Sequence, residues 1–391
     1  MSRDQLIQWD DEKTLYLVNP RDPLAPALDD MEKLLPRLRG HIWICSSGTS
    51  QKYSSVTLYA LSRSAFLHSA RAVNEHLEVH KKDVWLNVLP VFHVGGLSIQ
   101  ARSYLSRSKV VEQSQSVWNP QKFKPWILEA KATLTSLVPT QIFDLVKLGE
   151  KAPESLRAIV VGGGRLSPEL YKKARALGYP VLPSYGMTEC ASQIATAPLG
   201  SLLSEEYPQL KILSHVQARI EEGRLAVSTP SLFTSRAVWR STKALVPITD
   251  ESIRLEIDEP EVEILRRAGD WYVTQDQANL DGEYLTLKGR VDEQIKISGE
   301  LVHLGNLNEL FRTISSTPES WIFHIERERE GAEIQLVLPI QTYNASRAWI
   351  EKFNSSTLPV AKIKSVYYVD SIPKSELGKI KIIEVKRRIG L

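Results

Sequence analysis

The feature that most constrains the fold is an alternation of short apolar runs and helical segments between residues 41 and 187. Three of the apolar runs are VWLNVLPV (84–91), ATLTSLV (132–138) and LRAIVVGGG (156–164), and YPVLPSYG (179–186) closes the pattern. Runs of this length are typical of buried strands, and the segments between them have helical spacing. Repeated strand–helix–strand units predict a parallel sheet that is covered by helices on both faces.

The limits of two of these helices can be predicted from their capping residues. Pro139 and Thr140 open one helix, which we expect to stop at Gly149. Ser167 is a typical N-cap for the next helix, and Gly178 follows its predicted end. Serine satisfies free N–H groups at a helix start, and glycine adopts the left-handed conformation that commonly ends a helix.

Polar or glycine-rich segments follow four of the predicted strands. They are VFHVGG (91–96), GGGRLS (162–167), SYGMTE (184–189) and SSGTSQKY (46–53), which follows the apolar run HIWIC (41–45) and precedes a segment with helical spacing. Because ligands of parallel sheets bind beyond the carboxyl ends of the strands, we expect the four segments on one rim.

The pattern changes after about residue 215. Short alternating strands such as those in VQARIEEGRLAVSTP (216–230), SIRLEID (252–258) and GEYLTLKGR (282–290) predict an antiparallel sheet or small barrel. The remainder of the chain mixes strands with two predicted helices.

The predicted fold class is therefore α/β, with two domains. A large N-terminal domain (1–290) holds a parallel sheet covered by helices and a β-rich subdomain. A small α+β C-terminal domain (291–391) has helices near 306–314 and 345–353.

Composition excludes several classes of partner. The 391 residues carry a net charge of +3, too small to indicate a nucleic-acid or membrane partner. The start of the chain lacks the apolar core of a signal peptide, and no uncharged run is long enough to span a membrane. The two cysteines, Cys45 and Cys190, fit the reducing cytoplasm. A homo-oligomer is one open alternative.

SSGTSQKY has two interpretations. A small-residue loop after a strand exposes backbone N–H groups that can bind phosphate, here around Ser47, Gly48 and Thr49. The alternative is a solvated turn, since the glycine and lysine spacing of a Walker loop is absent.

SYGMTE and GGGRLS also suit a nucleotide. Tyr185 offers a flat face for a purine, beside Gly186, and Thr188 offers a hydroxyl for phosphate. Glu189 supplies a carboxylate, and Mg²⁺ prefers one or two carboxylates together with phosphate oxygens and water. The alternative is a turn with a buried tyrosine and a surface glutamate. In GGGRLS, glycine would let the backbone approach a ligand closely, unless the loop is only a helix entry. The glycines are Gly162, Gly163 and Gly164.

Four segments, taken in order, resemble the adenylate-forming enzymes, a superfamily of acyl- and aryl-CoA ligases, luciferases and adenylation domains. The segments are SSGTS (46–50), SYGMTE (184–189), WYVTQD…GEYLTLKGRVDEQIKISGE (271–300) and IPKSELGKIKI (372–382). The resemblance implies ATP, Mg²⁺ and coenzyme A as cofactor and co-substrates. It also implies that the glycines of GGGRLS border the adenine.

The third segment carries several residues whose roles follow from the resemblance. Asp276 matches the aspartate that holds the ribose hydroxyls, although Gln275 replaces the usual glycine before it. Arg290 matches a second ribose and phosphate contact, and Asp292 matches the hinge between the domains. The alternative for Asp276 and Arg290 is a surface ion pair. Two further cofactor-binding candidates lie near the expected CoA path, Lys296 and Gly299.

Lys379 is the strongest catalytic candidate. It lies in PKSELGK, close to the family's P-K-T-x-x-G-K. Adenylation develops negative charge on the α-phosphate oxygens, and a positioned lysine stabilises that charge where it grows. The alternative is one more cation in a basic tail. Glu189 and Thr188 complete the catalytic set.

LPVFHVGGLSIQAR (89–102) is most similar to the o-succinylbenzoate–CoA ligases of menaquinone synthesis. The resemblance puts His93 beside the acyl pocket and Gly95 where the family often has serine. Arg102 would pair with the free succinyl carboxylate of the substrate, a bidentate match that arginine makes well. The alternative is an arginine on a helix surface.

The resemblance fails before residue 41. Family members usually carry a whole subdomain before the phosphate loop, whereas 45 residues precede Ser46 here, and the later glycine and P-K of that loop are not matched. We therefore expect Gly48 and Thr49, rather than Lys52, to contact phosphate. The predicted function is an ATP-dependent ligase that joins a small aromatic carboxylic acid to CoA. Another aryl-CoA ligase and a non-catalytic nucleotide-binding descendant are the alternatives.

Overall fold

The structure is a computed structural model of the chain. It describes residues 7–19, 28–49, 55–113, 118–240, 261–267, 269–298, 300–317, 319–327, 331–375 and 378–391. The α-helices are α1 Leu28–Leu34, α2 Arg63–His76, α3 Val94–Ser106, α4 Pro120–Ala130, α5 Pro139–Leu148, α6 Pro168–Ala176, α7 Leu304–Ser315, α8 Tyr343–Ser355 and α9 Ile382–Arg388.

The strands fall into four sheets. Five strands form one sheet in the order β1-β2-β3-β13-β14, and eleven form another in the order β11-β12-β15-β16-β10-β9-β8-β7-β6-β4-β5. A hairpin, β17-β18, and a three-stranded sheet, β19-β20-β21, lie near the C-terminus. Their bounds are β1 Leu15–Leu17, β2 His41–Thr49, β3 Ser55–Ser62, β4 Val84–Asn87, β5 Lys109–Glu112, β6 Leu134–Leu137, β7 Ala158–Val161, β8 Val181–Met187, β9 Ser192–Thr196, β10 Leu210–Ile212, β11 Gln217–Glu221, β12 Arg224–Ser228, β13 Ser235–Arg240, β14 Glu261–Arg266, β15 Tyr272–Asp281, β16 Tyr284–Arg290, β17 Gln294–Ile297, β18 Glu300–His303, β19 Trp321–Arg327, β20 Gly331–Pro339 and β21 Ser365–Val369.

The predicted parallel sheet is confirmed for β5-β4-β6-β7-β8, whose neighbours all pair in parallel. Side chains of these strands alternate between two cores. Leu86 and Ile159 pack with residues of α4, α5 and α6 on one face, and Trp85 and Val160 pack with residues of α2 and α3 on the other. Because both faces are buried, the central strand β7 (AIVV) is apolar throughout rather than alternating.

The interpretation of HIWIC as a strand of this parallel sheet is wrong. The strand β2 pairs in parallel with β1 and antiparallel with β3, in the five-stranded sheet. The segment after SSGTSQKY was also predicted to be helical from the start, but Ser55–Ser62 returns as β3 before α2 begins. Ser62 sets that helix start, since its hydroxyl accepts a hydrogen bond from Ala65 N.

The described strands of the β-rich region are antiparallel as predicted, and they continue the two large sheets rather than form a separate barrel. The strands β9, β10, β16, β15, β12 and β11 extend the parallel sheet, and β13 and β14 complete the five-stranded sheet. SIRLEID (252–258) lies outside the described residues. The C-terminal strands and helices match the predicted α+β pattern, while the division at residue 290 stays a prediction.

The predicted helix ends are confirmed. Gly149 follows α5 with φ 75° and Gly178 follows α6 with φ +83°. The Ser167 hydroxyl accepts a hydrogen bond from Leu170 N at the start of α6. These local features depend on a few neighbouring residues, which is why the sequence shows them.

Gly96, at the start of α3, has a packing role that the sequence did not reveal. A Cβ at this position would overlap the carbonyl oxygens of Leu89 and Pro90 and lie 2.7 Å from Pro90 C. Backbone atoms cannot rotate away as a flexible side chain can. Glycine is therefore required for α3 to approach the preceding loop.

We expect Gly96→Ala to lower the free energy of unfolding by about 1–3 kcal/mol, the usual cost of overpacking. Gly95→Ala is the matched control, because its Cβ would lie 3.4 Å from Leu89 Cδ1, an ordinary contact. Urea unfolding of both variants tests this, and equal losses of stability would contradict the steric explanation.

Candidate functional site

Glu189 lies in a short 3₁₀ turn, Thr188–Cys190, between β8 and β9. The chain reverses direction here, and the backbone is strained, since Ala191 has φ 51° and Ser192 has φ 113°. Gly186 is needed beside this reversal because a Cβ there would overlap the backbone of Ser192. The turn brings Thr188 and Glu189 to the end of the sheet, as the sequence predicts.

Two tyrosines from different sheets lie against the Glu189 carboxylate. The Tyr272 hydroxyl donates to Glu189 Oε1 at 3.5 Å, and Phe233 N donates to the Glu189 carbonyl oxygen at 2.9 Å. Burial, followed by the negative charge of Glu189, raises the pKa of both Tyr59 and Tyr272. The Phe233 ring packs between the two, 5.0 Å from the Tyr59 ring and 5.5 Å from the Tyr272 ring.

Sequence reasoning missed these aromatic residues, and only Tyr272 had a local signal, since it belongs to the WYVTQD segment. Tyr59 and Phe233 are far from Glu189 in the chain. The carboxylate, the hydroxyls and the exposed side of the turn nevertheless suit a hydrated divalent cation, which needs few protein ligands when phosphate supplies the others.

Asp276 and Arg290 face each other on paired strands. The register of β15 and β16 aligns the two residues, and Arg290 Nη1 lies 3.9 Å from Asp276 Oδ1. The Tyr185 hydroxyl donates to Asp276 Oδ2 at 2.7 Å, and burial followed by the Asp276 charge raises the pKa of Tyr185. The Asp276 side chain is 16% exposed and the Arg290 side chain 44%, so the alternative of a surface ion pair stays open for Arg290.

Lys379 is close enough to this group to be affected by its charges. Burial lowers the pKa of Lys379, the positive charge of Arg290 lowers it further, and Glu189 opposes both. His93, the N-cap residue of α3, has a pKa lowered to about 4 by burial and then by Lys379. The imidazole is therefore neutral near pH 7. Chain segments about 190 residues apart thus converge on one site.

Arg102 is a buried cation in α3, with 1% of its surface exposed. Its Nη1 and Nη2 donate to Ser136 Oγ and Ser192 Oγ, both at 3.4 Å, and its guanidinium lies 5.5 Å from the Trp85 ring centroid. Within the described part of the chain, Nε has no hydrogen-bond partner. Burial lowers the pKa to about 9, so the group remains protonated at pH 7. The alternative of a helix-surface arginine is wrong.

The glycine loop after β7 lies beside the β8 segment. A Cβ at Gly162 would lie 2.9 Å from Ser184 Oγ, and Gly163 has φ +75° near Val138. Gly164 lies near Pro139 at the start of α5. Gly95 is in the first turn of α3, next to His93.

Several predicted residues can be placed only by their backbone. Ser47, Gly48 and Thr49 form the end of β2, and Thr49 is paired with Val56. Asp292 lies in the 3₁₀ turn Val291–Glu293 and Lys296 in β17. Lys52 and Gly299 lie outside the described residues.

The described residues limit the chemistry of the site in two ways. Among the described residues, no group of three or more His, Cys, Asp or Glu side chains could hold a metal ion. No helix in the described ranges combines the length and apolar character of a membrane span. A metal at Glu189 would therefore depend on ligands from a bound phosphate.

Comparisons with known proteins agree with this geometry. Residues 55–230 match the sequence profile described as AMP-binding enzyme. A 2-succinylbenzoate–CoA ligase of Geobacillus kaustophilus is 28% identical over 329 residues, covering 80% of this chain and 63% of the relative. A ligase of the same name from Bacillus mycoides is 25% identical over 100% of this chain and 82% of its own length.

The fold has a solved counterpart. An o-succinylbenzoate CoA synthetase of Bacillus subtilis, in complex with the acyl-adenylate intermediate OSB-AMP, matches with a TM-score of 0.69 and 21% identity over 88% of this chain and 68% of that one. The same enzyme with ATP and magnesium ion matches with a TM-score of 0.68 and 20% identity over 90% and 70%.

The chain spans 63% and 62% of the lengths of two Geobacillus ligases. Within that span, the profile, the curated relatives and the shared fold agree. Residues 55–230 are therefore similar in sequence to the AMP-binding enzymes, and the fold is similar over most of the chain.

Proposed function

We propose that the chain is an ATP-dependent carboxylic acid–CoA ligase that acts through an acyl-adenylate, with 2-succinylbenzoate as the acid. The observation that carries the choice of acid is Arg102, a protonated and fully buried guanidinium. Among the described residues its Nε has no hydrogen-bond partner, and its hydrogen bonds to two serines are long. A buried charge is costly unless an opposite charge compensates it.

The electrostatics around Arg102 favour a substrate carboxylate as its partner. Burial lowers the pKa of Arg102, and no acidic side chain in the described part of the chain offsets that effect. Guanidinium groups bind carboxylates in a bidentate manner, with both oxygens engaged. An acid with a second carboxylate, such as the succinyl group, supplies the missing charge.

The first half-reaction forms a mixed anhydride between the acid and AMP. The reacting carboxylate oxygen attacks the α-phosphorus of ATP, and the bond to the pyrophosphate oxygen breaks. We assign Lys379 to the growing charge on the α-phosphate oxygens, together with Arg290. Thr188 contacts phosphate and Asp276 the ribose, with Tyr185 and the 162–164 glycines around the adenine.

Glu189 would hold the magnesium ion, which neutralises phosphate charge when bound. The two tyrosines keep its carboxylate oriented toward the end of the sheet. Ser47, Gly48 and Thr49 would supply backbone N–H groups to the phosphates, as their place at the end of β2 allows.

In the second half-reaction the thiol of CoA displaces AMP from the acyl group. We propose that the C-terminal domain rotates about Asp292, which moves Lys379 away and opens the thiol path near Lys296, Gly299 and His93. Departure of Lys379 would remove one of the two effects that lower the pKa of His93, so the imidazole, beside Gly95, would become a better acceptor for the thiol proton. We propose small-molecule substrates alone, with no nucleic-acid or membrane partner, and a cytoplasmic location.

The direct test is acid-dependent release of pyrophosphate across a panel of aromatic acids, with and without CoA. We expect 2-succinylbenzoate to give the highest kcat/KM and CoA to be acylated. Equal use of aromatic acids that lack a second carboxylate would favour a different aryl-CoA ligase. ATP binding without pyrophosphate release for any acid would favour a non-catalytic nucleotide-binding protein.

Lys379→Ala is expected to slow pyrophosphate release by about 10²–10³-fold, the usual loss for a group that stabilises transition-state charge. Thioester formation from pre-made acyl-adenylate should continue, because the lysine has no part in it. Lys381→Ala is the control, since Lys381 lies two residues on and pairs with Glu384 at 3.9 Å. Adenylation at the wild-type rate in Lys379→Ala would rule out this role.

Arg102→Met should lower kcat/KM for 2-succinylbenzoate by the equivalent of about 2–5 kcal/mol, with a much smaller effect on benzoate. The free energy of unfolding should stay the same or rise, because an uncompensated buried charge is removed. Calorimetry and pyrophosphate release measure the two effects separately.

Arg63→Met is the matched control for that variant. Arg63 is also buried, with 5% exposed, but it donates to the carbonyl oxygens of Gln8 and Lys13 at 3.1 and 2.7 Å. Its replacement should destabilise the fold and leave the choice between acids unchanged. Equal losses of kcat/KM for both acids in Arg102→Met would show that Arg102 does not bind the second carboxylate.

A further inference from the structure

Lys379 is carried by a tight turn near the C-terminus, which we call the lysine turn (374–375 and 378–380). Ser375 N donates to the Lys379 carbonyl oxygen at 2.6 Å, and Gly378 N donates to the Ser375 carbonyl oxygen at 2.8 Å. Lys379 N donates to Ser375 Oγ at 3.2 Å, and a bridge joins Lys374 to Ile380. These bonds fix the shape of the turn, so its placement decides where Lys379 lies.

The base of the turn is attached to the C-terminal part of the chain. Lys374 Nζ lies 3.8 Å from Glu319 Oε1, just before β19. An open cleft of about 570 Å³ separates much of this surface from α5, with Asp144 and Trp118 on its far side. Gly378, in contrast, lies directly against α5.

That contact is between Gly378 and Thr140, the second residue of α5. The three atoms nearest to the position of a Cβ on Gly378 all belong to the Thr140 side chain: Oγ1, which it would overlap, Cγ2 at 2.7 Å and Cβ at 3.0 Å. Gly378 also has φ +71°, which disfavours other residues. The turn therefore rests on Thr140 at a distance that only a residue without a side chain permits.

We propose that Thr140 is a positioning residue for Lys379: its side chain is the surface on which the lysine turn docks for adenylation. The inference rests on the proposed function of Lys379. Its physical basis is that a turn held away from α5 would move the ammonium group from Arg290 and Glu189. A misplacement of about 1 Å can reduce a rate about 10²-fold.

The contact between Gly378 and Thr140 should matter for only one of the two half-reactions. Rotation of the C-terminal domain for the thioester step must break it, because Gly378 and Thr140 lie on opposite sides of the proposed movement. Substitutions at the contact should therefore affect the first half-reaction and spare the second. A general loss of stability would affect both.

The test uses Gly378→Ala, Thr140→Ala and the double variant. We expect Gly378→Ala to slow pyrophosphate release by at least about 30-fold and leave thioester formation from pre-made acyl-adenylate within about twofold. Thr140→Ala removes the two nearest atoms, so the double variant should recover at least about fivefold relative to Gly378→Ala. Recovery from a second substitution is the sign of a steric contact.

Gly149→Ala is the matched control for backbone strain. Gly149 lies at the end of the same helix with φ +75°, and no atom lies within 4 Å of the position of its Cβ. The Gly149→Ala variant should be less stable than the wild type but should release pyrophosphate at the wild-type rate. A loss of release equal to that of Gly378→Ala, or no recovery in the double variant, would overturn the proposal.

Hydrogen exchange without substrates gives a readout that does not depend on activity. The amides of Gly378 and Lys379 should exchange faster in Gly378→Ala than in the wild type, and the double variant should restore part of the protection. If wild-type protein releases no pyrophosphate for any acid, the proposed function fails while exchange still tests the contact. Unchanged exchange in all variants would refute the docking itself.

Discussion

The reversal of the chain after β8 is the constraint on which the candidate site depends. At this point the large sheet changes from parallel to antiparallel pairing, since β8 is parallel to β7 and antiparallel to β9. The turn needs left-handed backbone at Ala191 and an unusual φ at Ser192, each at a cost of about 1–3 kcal/mol. The tight turn presents Glu189 at the end of the sheet and directs Ser192 toward Arg102.

Both large sheets contribute side chains that contact Glu189, β3 from the five-stranded sheet and β15 from the eleven-stranded sheet. The strands β3 and β15 bring Tyr59 and Tyr272 to the Glu189 carboxylate, and Phe233 fixes the turn through its backbone. The Glu189 carboxylate is contacted from both sheets and is therefore oriented before any ligand binds. Such preorganisation lowers the entropic cost of ligand binding. The site is therefore a product of long-range packing as much as of its motif.

The features that could be predicted from the sequence are those that depend on neighbouring residues, whereas contacts between distant segments could not be predicted. Gly149 and Ser167 act on neighbouring residues, so the helix limits could be predicted from the sequence. The apolar run HIWIC would suit a buried strand of either large sheet. Nothing in the neighbouring sequence specifies that it pairs with β3 rather than with β4. The burial of Arg102 was equally hidden. Residues 96–103 of α3 are all buried although half of them are polar or charged, so polarity does not mark an exposed face of this helix. The site motifs indicated which residues matter, whereas their contacts required the fold.

The charges of the site explain why its substrates should be polyanions. Arg102 keeps its positive charge at pH 7, and the positive charge of Arg290 lowers the pKa of Lys379, so positive charge gathers at the site. A triphosphate beside Lys379 would raise that pKa again, because negative charge favours the protonated amine. A carboxylate beside Arg102 would compensate the buried charge of that guanidinium. The free protein thus holds electrostatic strain that both substrates relieve, so binding energy and catalysis would draw on the same charges.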